Sequence, residues 1–447
     1  MDKIYRKVFV WKSGMEFANY KSIKIRTKEG RKTMEKTKKI GPVALGAVFM
    51  AYFCSITAVP TGGLVGQGAK FTTGLAGMAL GFVIGAVLIA LSTMIGYKTG
   101  LKKDAVWKQM FGRQGFRIFS FAVAFCMAFW ACFDLFNAAQ AVYNIFPEGH
   151  KNFGFALAMV ILLVVTIIGG VYGMDGVKLI SNISIPIAIV LFVIIYIVSV
   201  RHAGGLEGLM AYQPTETTYT IGTIAQTMVG MWMAGYVGAI DLTTDAKNKK
   251  SVIIAALCGS GFVLLCFLVG QVGFMGTGVH TLADICASLG GAIFLIGSIF
   301  VMIAQGNTTP ACDYMYSNSF AAVFNTTRKW FAIIIPLVAG VISFVIMYGP
   351  GVDFINTIVT AIGTIMAPLV AVMLTDFYIV HKGKLDIKEE KDLPVVNARP
   401  VICIIIGLAF SFALKLVPAI KLSTFLVLIV TAVLYAIVAK AGAEKKA

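Results

Sequence analysis

The chain has 447 residues, of which 58% are hydrophobic and only 13% are charged, and its formal net charge is +17. Because soluble domains carry roughly a quarter charged residues, this composition excludes a water-soluble enzyme. Residues 1–40 alone hold thirteen Lys or Arg against four Asp or Glu, and the chain lacks the aromatic-interleaved basic domain of RNA-binding modules, so no nucleic-acid partner is expected.

Those forty residues form a basic tail ahead of the first apolar stretch. Residues 1–33 contain no apolar core of the kind found in secretory signals, whereas Met34 begins a Met-Glu-Lys-Thr-Lys-Lys segment directly before that stretch. We expect either a gene start placed too far upstream or a basic tail beside the anionic inner leaflet. The mass of the purified protein distinguishes the two.

Apolar stretches recur from the end of this tail almost to the C-terminus, each long enough to cross a hydrocarbon core of about 30 Å. They must be helices, because an open sheet in lipid leaves backbone groups unpaired, and the alternation of a membrane barrel is absent. We predict an all-α polytopic membrane protein. Its twelve predicted spans are 43–66, 73–96, 116–146, 153–173, 177–200, 219–242, 251–276, 285–309, 331–349, 353–379, 400–416 and 421–440.

Basic residues concentrate in every second loop, and the loops between are short and nearly neutral. The basic loops carry Lys98, Lys102, Lys103, Lys108, Arg113, Arg117, Lys247, Lys249, Lys250, Arg328, Lys329, Lys382, Lys384, Lys388 and Lys391. Because Lys and Arg accumulate on the cytoplasmic side of a membrane, both termini are predicted to be cytoplasmic.

The third span places polar side chains inside the membrane. Met127, Trp130, Asp134 and Asn137 are spaced three and four residues apart, so they share one helix face. An intramembrane carboxylate is costly unless it faces protein, water or a ligand. An aromatic plate one turn from a hydrogen-bond acceptor suits a flat, hydrogen-bonding ring. The alternative is that Trp130 packs in the bundle and Asp134 pairs with a neighbouring donor.

The sixth span supplies a second aromatic plate. Trp232 and Tyr236 lie one turn apart between the glycines of Gly230–Gly238, and the first span has a comparable glycine-rich stretch at Pro60–Gly68. Broken helices in transporters expose backbone groups to a cavity at mid-membrane. We expect interruptions at both stretches, and their separation by five helices fits an inverted repeat of five plus five.

The eighth span ends in a polar stretch that contains Gln305, Thr308 and Thr309. Adjacent hydroxyl oxygens are hard ligands suited to a small cation. The alternative is that these threonines bond back to their own helix near Pro310. The eight cysteines include no Cys-x-x-Cys pair, so neither a metal centre nor a disulfide framework is expected, and no cofactor apart from a coupling ion.

A series of short motifs is specific in its order and spacing. They are Thr61-Gly-Gly, Gly66-x-Gly68, Gly96-Tyr-Lys-Thr-Gly-Leu101, Trp130, Asp241, Thr308-Thr309, Ala367-Pro368 and Thr375-Asp-Phe-Tyr378. From about Gly41 to Gly383 the chain resembles the nucleobase:cation symporter-1 family, in particular its bacterial cytosine permease branch. The resemblance implies a LeuT-type repeat of five plus five helices followed by two more. The chain is accordingly divided into a tail (1–40), a ten-helix core (41–383) and a C-terminal pair (384–447).

The same resemblance implies roles for individual residues. The heterocycle would lie between Trp130 and Trp232, with Gln305 bonding the ring and Met127 and Tyr236 close to it. Thr308 and Thr309 would bind sodium together with span-one carbonyls, and Ala51 and Ser55 match those carbonyls by spacing.

Four positions depart from the family pattern. Cytosine permeases carry glutamine at Met127, phenylalanine at Trp232 and asparagine at Gln305, and a hydantoin-transporting relative carries glutamine at Asp134. A carboxylate at Asp134 favours a substrate with several N–H groups or a positive charge and disfavours a dione. Alternatively, Asp134 carries a coupling proton.

The expected function is import of a nucleobase or related nitrogen heterocycle, such as cytosine or a purine, across a prokaryotic plasma membrane by sodium symport. Proton-coupled import of hydroxymethylpyrimidine, hydantoin or allantoin is the alternative, followed by amino-acid transport on the same fold. A membrane enzyme is disfavoured because Asp134, Asp241 and Asp313 lie on different predicted helices with no histidine beside them. A channel is disfavoured because no continuous polar stripe is present.

Overall fold

The structure is a computed structural model that describes residues 39–54, 56–348, 351–417 and 420–444. Within these ranges the chain is helical, and extended backbone pairs only at a bridge between Ile40 and Ala246. The helices are α1 Pro42–Phe53, α2 Ala58–Gly68, α3 Phe71–Thr99, α4 Lys103–Phe111, α5 Gly115–Tyr143, α6 Lys151–Tyr172, α7 Met174–His202, α8 Gly205–Ala211, α9 Ile221–Met231, α10 Met233–Gly238, α11 Lys249–Thr277, α12 Leu282–Leu289, α13 Gly291–Phe324, α14 Arg328–Tyr348, α15 Gly351–Thr375, α16 Ala398–Lys415 and α17 Ser423–Glu444.

The membrane architecture agrees with the predicted spans. Among the described residues, eight helices are long and apolar enough to cross a membrane, and α1 with α2, inclined at 65°, makes a ninth if the bent pair is counted as one span. Three shorter apolar segments, Met233–Leu242, Ile365–Val380 and Ala398–Leu414, fall in predicted spans six, ten and eleven. The prediction of an all-α polytopic membrane protein is confirmed. The short helices α4 and α8, which lie in the connections, were not predicted, and α12 overlaps the beginning of the predicted eighth span.

The interruption of the first span lies earlier than its sequence suggested. The stretch Pro60–Gly68 is helical and belongs to α2, and the break falls between Phe53 and Ala58. Pro60 is the third residue of α2, where a missing N–H leaves no helical hydrogen bond unmade. Gly62 serves packing, since a Cβ there would lie 2.3 Å from the Phe267 carbonyl oxygen of α11. The predicted location was therefore wrong, because a helix start and a packing glycine were interpreted as breakers.

The interruption of the sixth span lies inside its predicted stretch. Helix α9 ends at Met231, Trp232 adopts a non-helical conformation (φ −103°, ψ 10°), and α10 begins at Met233. Trp232 is thus the junction between two half-helices.

The eighth span is longer than predicted and begins later. Gly290 and Gly291 have positive φ values of 67° and 55° and separate the short α12 from the 34-residue α13. Because α13 extends to Phe324, Thr308 and Thr309 lie near its middle. The prediction ended at the polar stretch, but α13 packs against α1, α5, α6 and α7, so these polar side chains face protein.

The basic loops meet at one end of the bundle, which we call the basic end. Lys102 Nζ donates to Asn318 Oδ1 of α13 (3.1 Å), and Lys108 Nζ lies 2.8 Å from Glu390 Oε1 in the loop after α15. Lys102 and Arg328 both lie over the Tyr314 ring, at 5.2 and 5.5 Å from its centroid. The basic loops after the second, eighth and tenth predicted spans therefore lie at the same end of the folded bundle.

Candidate functional site

Two tryptophans from different helices form parallel plates. Trp130 of α5 and Trp232 at the α9–α10 junction have ring centroids 6.0 Å apart and planes inclined by 2°. Both side chains are buried. A ring held between them needs a separation of about 7 Å, twice the optimal contact distance of about 3.5 Å. The plates are therefore oriented for a flat ligand, and because the spacing of their planes cannot exceed the centroid distance of 6.0 Å, they must separate by at least about 1 Å to admit one.

A carboxylate and an amide lie beside the plates. Asp134, one turn from Trp130 on α5, accepts a hydrogen bond from Gln305 Nε2 of α13 at 3.1 Å, and both side chains are buried. Gln305 Oε1 and Trp232 Nε1 have no hydrogen-bond partner among the described residues. Since buried polar atoms are normally bonded, this acceptor and this donor are available to a ligand.

The other predicted substrate residues lie behind the plates, with two aromatic residues that the sequence did not reveal. The Tyr52 hydroxyl is 3.8 Å from the Met127 sulfur and 3.2 Å from the Gly235 carbonyl oxygen. The Phe53 ring meets Trp232 edge-on, with centroids 5.0 Å apart, and lies 6.2 Å from the Tyr236 ring. Tyr52 and Phe53 end the half-helix α1 within an apolar run, so only a correct placement of the break could have identified them.

Carbonyl oxygens from the end of α1 converge on Thr308. Its hydroxyl oxygen lies 3.1 Å from the carbonyl oxygen of Ala51, 2.5 Å from that of Cys54 and 3.2 Å from that of Ala304. A helix end leaves carbonyls without intrahelical partners, and one hydroxyl proton satisfies only one of three acceptors. This oxygen cluster suits a small cation. Ser55 lies outside the described residues.

Thr309, which was predicted to bind the same cation, forms hydrogen bonds with other groups. Its hydroxyl oxygen lies 2.7 Å from Thr166 Oγ1 of α6 and donates to the Gln305 carbonyl at 3.0 Å. The back-bonding that the sequence left open thus occurs at Thr309, and also at Thr308 through Ala304. Thr166 was missed because a lone threonine in an apolar helix gives no signal.

Two asparagines near this region differ in whether their side-chain amides are hydrogen-bonded. Asn137, predicted on the face of Trp130, donates to the Phe133 carbonyl of its own helix at 2.9 Å. Asn307 of α13 is buried, and neither atom of its amide has a hydrogen-bond partner among the described residues.

The chain is similar to known transporters in sequence family and in fold. Residues 34–437 match the family described as permease for cytosine/purines, uracil, thiamine, allantoin. The closed structure of Mhp1, a nucleobase-cation-symport-1 family transporter with bromovinylhydantoin bound, is 18% identical, with 91% of this chain and 94% of that chain covered and a TM-score of 0.76. Inward-facing Mhp1 is 16% identical, with 91% and 92% covered and a TM-score of 0.73.

A more distant likeness is to a Na⁺-coupled sialic acid symporter in a substrate-bound outward-open state. It is 12% identical, with 90% of each chain covered and a TM-score of 0.62. No curated protein sequence matches the chain. These solved structures confirm the transporter fold that the resemblance implied.

Proposed function

As a member of the permease family for cytosine/purines, uracil, thiamine and allantoin, the chain is a secondary transporter and not an enzyme, and we propose that it imports an amino-bearing nitrogen heterocycle together with sodium across the plasma membrane. Cytosine and aminopurines are the representative substrates. The basic end of the bundle is the cytoplasmic end in this proposal.

The observation that carries the proposal is the parallel Trp130–Trp232 pair with a buried acceptor edge beside it. Two aromatic faces stabilise a flat ring without selecting its polar groups. Selection comes from the Asp134 carboxylate and from Gln305 Oε1, which accept hydrogen bonds from ring N–H and amino groups. A dione presents carbonyl oxygens beside its N–H groups, and the oxygens that face Asp134 and Gln305 Oε1 leave acceptors unpaired, which disfavours binding.

The Thr308 oxygen cluster supports sodium as the coupling ion. A cation there relieves the repulsion among carbonyl oxygens and holds the end of α1 against α13. The end of α1 also carries Phe53, whose ring packs on Trp232. Cation binding therefore fixes one plate of the substrate site, and by linkage the substrate raises the affinity for the cation by the same factor.

Binding measurements on purified full-length protein test the substrate site. We expect cytosine or adenine to raise the melting temperature, more so with sodium, because a ligand that binds the folded state stabilises it by mass action. Trp232→Ala should abolish this shift. Trp330→Ala, which changes an exposed tryptophan on α14, is the matched control and should retain it. Stabilisation by hydantoin or an amino acid but by no amino-bearing ring would contradict the substrate class.

The coupling ion is tested by uptake into proteoliposomes at varied sodium concentration. Thr308→Ala should raise the sodium concentration needed for half-maximal uptake, with little change at saturating sodium. Thr327→Ala, at an exposed threonine, should behave as wild type. An unchanged sodium response in Thr308→Ala would refute the cation assignment.

A further inference from the structure

A line of polar side chains leads from the substrate site along α13 towards the basic end. Gln305, Thr309 and Asp313 are four residues apart and therefore lie on one face of the helix. Gln305 is bonded to Asp134, and Thr309 contacts Thr166 of α6. This line follows the contact between α6 and α13 and ends at Asp313.

Asp313 is a buried carboxylate that forms no ion pair within the described residues, and the Tyr316 phenol of its own helix is the donor that interacts with it. It has no exposed surface, and within the described residues neither carboxylate oxygen has a hydrogen bond of ordinary geometry or a cation within 4 Å. It packs directly on Gly170 of α6, where a Cβ would overlap its carboxylate. The absence of a side chain at Gly170 therefore leaves the space that the Asp313 carboxylate occupies.

Arg328 is the cation whose charge acts on Asp313, but its guanidinium is engaged elsewhere. It donates to the carbonyl oxygens of Gly170 and Val171, the latter at 3.0 Å from Nη2, at the end of α6. An isolated buried carboxylate is very costly in its ionised form, whereas the neutral acid avoids most of that cost. Ionisable residues at such depth are functional by default, with proton relays among their usual roles.

We propose that Asp313 is a proton-binding site that receives its proton from the substrate-site end of the polar line while the α6–α13 contact is closed, and releases it towards the basic end when that contact opens. On opening, the O–H bond breaks, the proton passes to water, and Arg328 stabilises the carboxylate that remains. This proposal rests on the proposed transport function and adds to it a proton-dependent step distinct from sodium binding at Thr308.

Within the described residues, few other titratable groups lie near Asp313 and could bind the proton in its place. On its own helix, the Tyr316 phenol and the Cys312 thiol lie within its electrostatic range. The facing segment of α6, residues 166–171, has no ionisable side chain. The acidic and basic side chains at the start of α7, Asp175 and Lys178, pair with each other at 3.2 Å on the exposed surface.

Two further helices, α5 and α1, reach this region through Cys312, and Cys132 of α5 also acts on the Tyr316 phenol. The charge of Asp134 on α5 acts on the Cys312 thiol, and that thiol acts in turn on Tyr52 of α1. Asp134 is thus the second carboxylate whose titration must be separated from that of Asp313.

A substrate-free pH titration of full-length protein tests the site independently of the transported molecule. Trp130 and Trp232 are joined to the polar line through Asp134 and Gln305, so their fluorescence should report the protonation change as a single-proton transition. We expect Asp313→Asn to remove this transition and Asp175→Asn to retain it. A transition that Asp134→Asn removes and Asp313→Asn retains would assign the proton to Asp134 and overturn the proposal. A transition unchanged in Asp313→Asn, or no transition in wild type, would overturn the proposal.

Transport of cytosine into proteoliposomes holding an entrapped pH-sensitive dye gives the second readout. With sodium fixed, wild type should acidify the lumen during uptake, and its rate should fall by up to about tenfold per pH unit as external pH rises. Asp313→Asn should lose both effects while cytosine still raises its melting temperature. Cytosine uptake by wild type without acidification would overturn the proton site. Absence of any cytosine binding would instead refute the substrate proposal, leaving the fluorescence titration to decide on Asp313.

Discussion

Replacing Asp134 by asparagine should change the substrate preference of the site more than the stability of the folded protein. The substitution keeps the size of the side chain, and the asparagine oxygen can still accept from Gln305 Nε2, which donates to Asp134 at 3.1 Å. It replaces the other carboxylate oxygen by an amide donor. A substrate N–H that faced an acceptor then faces a donor in a buried site.

The expected magnitude follows from hydrogen-bond energies. A hydrogen bond to a charged group contributes about 1.5–3 kcal/mol, and a buried donor left unpaired costs about 1–3 kcal/mol. Loss of about 1.4–3 kcal/mol corresponds to a ten- to hundredfold higher Kd for cytosine or adenine, since about 1.4 kcal/mol is tenfold. The same donor is complementary to a ring oxygen, so the Kd for uracil should fall or stay unchanged.

The assay is equilibrium binding of cytosine and uracil to purified wild type, Asp134→Asn and the surface control Asp175→Asn, at saturating sodium. We expect the ratio of the two Kd values to shift by at least about tenfold in Asp134→Asn alone. An equal loss for both ligands would indicate a structural role for Asp134. Unchanged affinity for both would remove the carboxylate from the recognition of substrate.

Two further predictions concern stability. Gly62→Ala should lower the melting temperature, because the new Cβ would lie 2.3 Å from the Phe267 carbonyl oxygen and overpacking costs about 1–3 kcal/mol. The control Gly41→Ala, whose new Cβ would have nothing within 4 Å, should keep the wild-type melting temperature. Equal melting temperatures for the two variants would refute the tight α2–α11 contact. The hydrogen bond to Asp376 raises the pKa of His381 above its usual value, so this pair stabilises the folded state fully below about pH 6.5 and ceases to do so as pH rises through the raised pKa. The melting temperature of His381→Gln should therefore fall below that of wild type in acid and match it in alkali, and a pH-independent difference would contradict this assignment.

The sequence predicted the features that depend on composition and local spacing. Helical spans followed from apolar length, and the shared face of Trp130 and Asp134 followed from helical periodicity. The break at Trp232 followed from its flanking glycines. Each of these needs only the residues within one helix.

The remainder depends on contacts between helices, which spacing within one helix does not specify. The hydrogen bond from Gln305 to Asp134 joins residues 171 positions apart. The carbonyl of Cys54 entered the cation cluster because the first break lies earlier than Pro60 suggested. Asp313 was noted only as a carboxylate on another helix, since its isolation depends on Gly170 and on the engagement of Arg328.

The account rests most directly on a flat amino heterocycle held between Trp130 and Trp232 when sodium is bound. The measurement that tests it is equilibrium binding of labelled cytosine to purified protein with and without sodium, in wild type, Trp130→Ala and Trp232→Ala. We predict saturable binding that sodium tightens in wild type and that either alanine substitution abolishes. Sodium-independent binding that survives both substitutions would contradict the account.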